Sequence, residues 1–433
     1  MKRNISKTLL VISIGVTLIL GSMTGCLSEL IQQLTETDWT WPAIPSDNTK
    51  KTTESVSSSG RTETTRSTET VSTSTAGRQL IDFHNETTTF DQLIRQTLIA
   101  GLDRFERSID LNAVVTTYLI RESQIDDAID RIFDIYTQLY LASPRYFYLN
   151  GSFELAYSVE QGDKDRLSSL FVEPTFWSST DRLTAEALQA MIADVNRIVE
   201  NQAGQIRQQS SDPVEQLILA HDWLIQTITY NTTGDQGTNH AGSALLNQVT
   251  LCQGYAQAFQ LIGQELGLDV RIITGTSNAV GHAWNLVVLD GIAYHVDVTH
   301  DDPVPDAGPG EPNRHIHLFR SDQQMRLTNQ WDEDAFPACP VDGAFYYRNR
   351  GLVTSTAVDL EAKIDRFLST ITWPIEQTEQ LEVLLDHPVT LDPSSAEQAV
   401  QNALKRWNSG KTVYYRVDVQ KGVAIVQISG QAS

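Results

Sequence analysis

One cysteine stands at the start of a stretch with helical spacing, "LCQGYAQAFQLIGQELG", residues 251–267. The apolar residues that recur three or four positions apart are Ala256, Phe259, Ile262 and Leu266. Gly267 is typical of a helix end, so the pattern predicts that Cys252 lies in the first turn. The unpaired N–H groups of a first turn favour a thiolate, the reactive form of cysteine, and can stabilise an oxyanion on a substrate carbonyl. Cys252 is therefore a candidate nucleophile.

A histidine and an aspartate that could activate this thiol follow in "GHAWNLVVLDGIAYHVDVT". Two alternating runs flank Asp290–Gly291, a dipeptide typical of a two-residue hairpin turn. With that turn, Leu289 pairs with Ile292. The register then makes His282 and Asp297 diagonal neighbours on one face, about 7 to 8 Å apart at Cα. The aspartate would accept a hydrogen bond from one ring nitrogen and leave the other for the thiol, although spacing alone does not bring the cysteine to this pair.

Three segments of the chain together resemble the transglutaminase-like superfamily, in its bacterial and cytoskeletal branch: "LCQGYAQAF", "GHAWNLVVLDGIAYHVDVTHDDP" and "FRSDQQM" with "WDEDAFPAC". The resemblance is sharp over about 250–303 and weaker over about 211–345. It implies a papain-like fold with a catalytic triad in the chain order Cys, His, Asp. The matching positions are intact at Cys252, His282 and Asp297, so the resemblance implies an active enzyme.

The wall of such a site departs from the family pattern at one position. The family commonly has tryptophan where this chain has His300, after the Asp-Val-Thr motif, so substrate preference is expected to differ. We expect His300, Trp284 and Tyr255 to contact substrate, with packing of the hairpin against the helix as the alternative for the last two. The superfamily often supplies an oxyanion side chain upstream of the cysteine. Asn247 and His240 are the candidates, with an ordinary loop role as the alternative.

Other histidines, aspartates and cysteines have simpler interpretations. A group rich in metal-ligand types consists of His295, His300, Asp301, Asp302, His315 and His317. Its spacing matches no specific zinc pattern, so we predict neither a metal nor another cofactor. His221 lies on the apolar face of a helix capped by Ser211 or Asp212, and we expect it to be a hydrogen-bonded core residue. A disulfide between Cys339 and Cys252 is open in an exported protein, but it would consume the candidate nucleophile.

The first 25 residues have the features of a lipoprotein signal peptide. Lys2 and Arg3 precede an apolar run from Leu9 to Leu20, whose helical length of about 18 Å is short of the roughly 30 Å of a bilayer core. The ending "MTGC" resembles a bacterial lipobox, which implies lipidation of Cys26. An uncleaved, slightly short anchor helix is the alternative. In both cases we expect the body to be exported and held at the outer face of the cytoplasmic membrane.

Composition divides the rest of the chain into four parts. Residues 26–78 form a lipidated N-terminus and a Ser/Thr-rich tether with too few apolar residues to bury a core. Residues 79–210 contain long patterns of helical period and are expected to be mainly helical. Residues 211–350 carry the transglutaminase-like motifs. Residues 351–433 combine two helical patterns with two strand-like runs, which indicates a small α+β appendage.

The predicted fold class is therefore α+β, with a papain-like core in which an N-terminal helix packs on an antiparallel sheet. The chain has 54 acidic and 32 basic residues and a net charge of -22, so we exclude nucleic acid as a partner. Three functional classes remain open. The first is a membrane-anchored extracellular thiol acyl-transfer enzyme acting on peptide or protein amide bonds, as a cysteine peptidase, deamidase or transglutaminase. The others are a peptide- or cell-wall-binding surface module and a structural organiser with a vestigial triad.

Overall fold

The computed structural model describes residues 9–14, 79–81, 83, 88–160, 166–302, 312–372, 375–386, 393–407, 413–420 and 422–430. The predicted lipidation site Cys26 and the tether lie outside the described residues. Within the predicted leader, strand β1 (Leu9–Ile14) pairs antiparallel with a strand at residues 149–160. Among the described residues, no helix combines the length and the apolar character needed to cross a bilayer.

Residues 79–210 fold into helices around a long antiparallel strand pair. The helices are α1 (Thr88–Asp103), α2 (Asn112–Thr117), α3 (Ile125–Ala142) and α4 (Ala185–Gln209). The strands are β2 (Gln79–Leu80), β3 (Ile109–Asp110), β4 (Tyr118–Leu119), β5 (Leu149–Glu160) and β6 (Arg166–Phe176). The region is mainly helical, as expected. The β5–β6 pair is an addition that was not predicted, although buried residues alternate along much of both strands, which is the strand signal.

The next region places a helix on an antiparallel sheet. Its helices are α5 (Pro213–Thr227), α6 (Cys252–Glu265), α7 (Val298–Asp301), α8 (Asp322–Met325) and α9 (Phe345–Asn349). Its strands are β7 (Thr229–Tyr230), β8 (Val249–Thr250), β9 (Asp269–Ser277), β10 (Val280–Leu289), β11 (Ile292–Val296), β12 (Leu318–Arg320) and β13 (Asn329–Trp331). The sheet order is β12-β11-β10-β9-β13, and α6 packs on β9 and β10. This arrangement confirms the predicted α+β core.

The predicted hairpin register is observed, starting from the pair Leu289 and Ile292. The turn residues Asp290–Gly291 have φ angles of 51° and 78°, the left-handed pair that a tight two-residue turn requires. The ladder ends at Val296, and Asp297 then becomes the N-cap of α7 instead of continuing the strand. The end of the ladder therefore fixes where the aspartate side chain points.

One cluster of buried apolar side chains extends from Ile81 in the N-terminal region to Phe319 in strand β12 of the sheet. Both α4 and α5 pack against α6, which joins the two regions directly. The boundary expected at residue 210 therefore does not separate two cores, because the helical region and the sheet region share one.

The C-terminal region has its own sheet and core. Its elements are β14 (Val353–Thr354), α10 (Ala357–Thr370), β15 (Glu379–Leu385), α11 (Pro393–Trp407), β16 (Val413–Gln420) and β17 (Val423–Gly430). The sheet order is β14-β15-β17-β16, and α10 packs against α11. The two predicted helices and the two predicted strands are present. Strand β15 was not predicted. It lies inside the sheet and carries the side chain that joins this region to the rest of the molecule.

Candidate active site

Cys252 is the first residue of α6, as the helical pattern predicts. It borders a cavity of about 340 Å³. Only 1% of the residue is exposed, because it also packs among Ala256, Ile272 and Ala283. Cys252 and Cys339 are both free thiols, so the disulfide alternative is wrong.

In the structure, the imidazole ring of His282 contacts both the carboxylate of Asp297 and the thiol of Cys252. His282 Nε2 lies 2.8 Å from Asp297 Oδ2, and the thiol is hydrogen-bonded to His282 as well. Because the carboxylate engages Nε2, Nδ1 is the nitrogen that remains for the thiol. Burial by itself would lower the pKa of His282, but Asp297 and Cys252 raise that pKa to about 10. The ring therefore keeps a proton at neutral pH and can stabilise a neighbouring thiolate.

Asp297 is fully buried and serves two histidines. Its Oδ2 lies 2.6 Å from His300 Nδ1, and its Oδ1 accepts the backbone N–H of His300 at 3.2 Å. Burial acts to raise the pKa of Asp297, but the rings of His300 and His282 hold that pKa well below its usual range. The His300 ring lies 4.4 Å from the His282 ring between centroids and lines the cavity. His300 therefore lies where substrate contact was predicted, and it also helps to hold the aspartate.

The N–H groups at the start of α6 are only partly available, unlike the sequence-based expectation. Asn239 Oδ1 accepts the N–H of Gln253 at 2.9 Å and that of Gly254 at 3.3 Å. Within the described part of the chain, the N–H of Cys252 has no hydrogen-bond acceptor. One backbone donor of the helix therefore remains for an oxyanion.

A second donor, which the sequence analysis did not identify, is the phenol of Tyr230. This residue ends β7 and lines the cavity together with Cys252. Its hydroxyl has no hydrogen-bond partner among the residues that the structure describes. Burial and the nearby Cys252 raise the pKa of Tyr230, so its hydroxyl stays protonated. The pairing of Tyr230 with Thr250 in β8 brings the phenol to the site, and this contact between two-residue strands has no local sequence signature.

Neither oxyanion residue suggested by the sequence lines the cavity. Asn247 is exposed at the protein surface. His240 is buried, with Nε2 3.0 Å from the hydroxyl of Ser179 and Nδ1 accepting the N–H of Ser243 at 3.2 Å. Burial lowers the pKa of His240 to about 4, so the ring is neutral and already hydrogen-bonded. His240 therefore has the loop role given as its alternative, whereas Asn247 ends the short helix Ser243–Asn247.

Trp284 and Tyr255 pack behind the cavity and do not line it, which corrects the prediction that they contact substrate. Trp284 is 1% exposed and donates Nε1–H to His295 Nδ1 at 3.0 Å. Tyr255 has no exposed surface, and its hydroxyl donates to Asp302. Trp284 packs with Ile273, Leu286 and Met325 on the face of the sheet away from α6, whereas Tyr255 lies within the large core cluster. Both rings are therefore buried by packing, but Trp284 does not pack against the helix.

A second set of buried histidines and carboxylates lies beyond the triad. His221 has its Nδ1 3.0 Å from Asp222 Oδ1 and its Nε2 3.2 Å from Asp301 Oδ2, and it has no exposed surface. The other oxygen of Asp301 lies 3.0 Å from His317 Nδ1. The His317 ring is 5.2 Å from that of His300, so the set adjoins the triad. His221 is thus the hydrogen-bonded core residue that its place on the helix predicted.

This set continues into the C-terminal region through His315. Its Nε2 lies 2.9 Å from Asp222 Oδ1, and its Nδ1 lies 3.0 Å from Oε2 of Glu382 in β15. Tyr347 also donates its hydroxyl to Glu382, at 3.4 Å. A buried ionic contact therefore joins the C-terminal sheet to the segment that leads into the sheet carrying His282.

Three groups of described side chains bring enough nitrogen, oxygen or sulfur atoms together to bind a metal ion. They are His221 with Asp222 and His315, His282 with Asp297 and His300, and His295 with Asp322 and Cys339. In each group the histidine nitrogens closest to the carboxylates are within hydrogen-bond distance of them, at 2.6 to 3.0 Å. Each group is thus already joined by histidine–carboxylate hydrogen bonds.

The ionic set around His221 predicts a pH dependence of stability. Burial would lower the pKa of His221, but hydrogen bonds to Asp222 and Asp301 raise it to about 9. A raised pKa stabilises the folded state fully below the unfolded value of about 6.5, and this contribution is lost as the pH rises through 9. We expect the free energy of unfolding in urea to fall by up to about 3 kcal/mol between pH 6 and pH 9. In His221→Gln the fall should be distinctly smaller, and an equal fall in both proteins would contradict the assignment.

Residues 200–298 match the sequence model of the transglutaminase-like superfamily. The matched segment contains Cys252, His282 and Asp297 and ends just before His300. A comparison with curated proteins finds no match.

Among solved structures, the chain is similar to a TGase with 14% identity, over 47% of this chain and 59% of that one, at a TM-score of 0.26. A candidate cysteine protease from Cytophaga hutchinsonii has 12% identity over 36% of this chain and 59% of that one, at a TM-score of 0.22. A candidate protease from Parabacteroides distasonis has 8% identity over 67% of this chain and 63% of that one, at a TM-score of 0.24. The chain thus spans less than two thirds of each of these proteins.

Proposed function

We propose that this protein is a thiol acyl-transfer enzyme that acts on peptide or protein amide bonds, because residues 200–298 match the transglutaminase-like superfamily. Cys252 is the nucleophile, His282 the acid and base, and Asp297 the residue that orients the histidine. The observation that carries the proposal is the geometry of one imidazole, which contacts a cavity-lining thiol on one side and a fully buried carboxylate on the other.

In the first half of the reaction, the sulfur of Cys252 forms a bond to the carbonyl carbon of the substrate amide. The tetrahedral adduct then expels the amine, and His282 supplies the proton that the departing nitrogen needs. A thioester remains on Cys252. In the second half, water or an amine attacks the thioester carbonyl, His282 takes up the proton of the attacking group, and the sulfur leaves. Water makes the enzyme a peptidase or deamidase, and a lysine amine makes it a transglutaminase.

The adduct carries an oxyanion, and two residues that line the cavity each have a donor available for it. The donors are the backbone N–H of Cys252 and the hydroxyl of Tyr230, both without a partner among the described residues. Donors that are fixed before the reaction stabilise charge that develops only in the transition state, so they raise the rate of the chemical step.

Removing the Tyr230 hydroxyl tests this part of the proposal. We expect Tyr230→Phe to lower the acylation rate with p-nitrophenyl acetate by roughly 100-fold, because one oxyanion donor is lost. Alkylation of Cys252 by iodoacetamide forms no oxyanion on a carbonyl, so its rate should change far less. Equal losses in the two reactions would show that Tyr230 affects the thiol and not the oxyanion.

We also propose that the enzyme is exported and held at the outer face of the cytoplasmic membrane by lipid on Cys26. The support is the basic start, the apolar run and the "MTGC" ending at residues 23–26. In bacterial cells supplied with an alkyne fatty acid, the full chain should acquire the label and sediment with membranes. Cys26→Ser should abolish labelling, and retention of label in this variant would contradict lipidation at that position.

A surface module that binds peptides without turnover is the alternative function. It keeps the fold and the cavity but does not need a histidine that activates the thiol. Incubation of the ectodomain with a peptide library, with and without an added amine, followed by mass spectrometry, separates the outcomes. Cleavage, deamidation or coupling supports the enzyme, whereas peptide retention without a mass change supports the binding module.

A further inference from the structure

The cavity beside Cys252 contains a cation that has no counter-ion among the described residues. Arg314 lines this cavity, is partly buried, and makes no hydrogen bond or ion pair with any described residue. Three other arginines, Arg271, Arg326 and Arg350, each pair with a carboxylate at the surface. Among the described residues, Arg314 is thus a guanidinium without a protein partner on the cavity that Cys252 lines.

The carboxylate of Asp302 also lines the cavity, but it is less accessible to a ligand than the guanidinium of Arg314. Asp302 is 5% exposed, and it accepts the hydroxyl hydrogen of Tyr255. Arg314 is more exposed than Asp302, so the accessible charge at this wall is positive. His300 lies on the same cavity and adds a further polar group.

We infer that this cavity binds a carboxylate of the substrate at Arg314, close to the amide bond that Cys252 attacks. This inference rests on the proposed function and specifies its substrate class: a peptide with an acidic side chain or a free C-terminus near the scissile bond. A planar guanidinium binds a carboxylate through two parallel hydrogen bonds, and partial burial strengthens the pair. The chain has a net charge of -22, which repels anions at long range, so an anionic substrate needs such a local cation. The positive charge of Arg314 opposes a lysine ammonium group at this wall.

The test uses two small alkylating reagents that differ by one charge. Iodoacetate and iodoacetamide react with the same thiol, so the ratio of their rates reports the field at Cys252 and cancels general changes in reactivity. We expect Arg314→Gln to lower the iodoacetate to iodoacetamide ratio by at least about threefold relative to the wild type. Arg314→Lys keeps the charge and should retain most of the ratio.

Arg366→Gln is the matched control, because it removes one exposed arginine on α10 of the C-terminal region. Its ratio should equal that of the wild type. An unchanged ratio in Arg314→Gln overturns the inference while leaving the nucleophile in place. If neither reagent alkylates Cys252 faster than free cysteine, the proposed function itself fails, so the two failures are distinguishable.

Competition experiments distinguish the two sources of the carboxylate. Three compounds, added at equal ionic strength, are tested for slowing iodoacetamide alkylation: N-acetylglutamate α-amide, N-acetylglutamine and N-acetylglutamine amide. Protection by the first assigns an acidic side chain, and protection by the second assigns a free C-terminus. Both effects should be lost in Arg314→Gln. Equal protection by the third compound, which has no carboxylate, would overturn the inference.

Discussion

Replacing Cys252 by alanine is expected to abolish turnover of every peptide that the wild-type enzyme processes, because no other thiol lines the described cavity. Activity should fall below the detection limit, a loss of at least about 10⁴-fold. The fold should persist. Loss of one buried sulfur atom that packs against Ala256 and Ala283 costs about 1 kcal/mol in the free energy of unfolding. Product formation is measured by mass spectrometry and stability by urea unfolding.

The matched control is Cys339→Ala, because Cys339 is the other free and buried thiol of the described chain. It packs beside Trp284 and Met325, away from the cavity, so its loss should cost similar stability and leave turnover within about twofold of the wild type. Full turnover by Cys252→Ala, or equal losses in the two variants, would rule out Cys252 as the nucleophile.

Asp297→Asn is expected to lower kcat by about 10³- to 10⁴-fold while the protein remains folded. The carboxylate accepts hydrogen bonds from His282 and His300 together, and its charge keeps a proton on His282. An amide of the same shape carries no charge and presents one acceptor oxygen, so it favours the wrong tautomer of His282. Stopped-flow or single-turnover measurements on a peptide found in the library screen would record the change in rate.

Asp322→Asn supplies the comparison for this second result. Asp322 accepts from His295 Nε2 at 2.9 Å, a distance close to that of the His282 pair, but it does not line the cavity. The control therefore removes a similar histidine–carboxylate contact elsewhere in the sheet region. We expect it to leave kcat within a few-fold of the wild type. If Asp297→Asn and Asp322→Asn lower kcat equally, the effect is structural and Asp297 does not orient the histidine.

The parts of the site that the sequence predicts are those fixed by short-range rules. The Asp-Gly turn sets the β10–β11 register, and with it the approach of His282 to Asp297. The spacing of apolar residues places Cys252 at the start of α6. The meeting of the thiol with the imidazole depends on how α6 packs on the sheet. Within the sequence, the family resemblance is therefore what joins the thiol to the imidazole.

The parts that the sequence misses depend on contacts between distant segments. Tyr230 reaches the cavity through a two-residue pairing with β8, and Arg314 reaches it from the segment before β12. Neither stands in a recognisable motif. Trp284 and Tyr255 were misassigned because an aromatic next to a catalytic motif has the same local pattern whether it lines a cleft or packs behind it.

The position of Glu382 limits where this chain can be divided into fragments for expression. It belongs to the C-terminal sheet, yet its carboxylate fills a place among His315 and Tyr347 of the preceding region. A fragment ending at residue 350 would leave an imidazole and a phenol facing the space that this acid occupied, and burying such groups without a partner is costly. The last eighty or so residues thus complete the buried interior of the preceding region. Cutting the chain between the two regions would yield two aggregation-prone fragments in place of two stable domains.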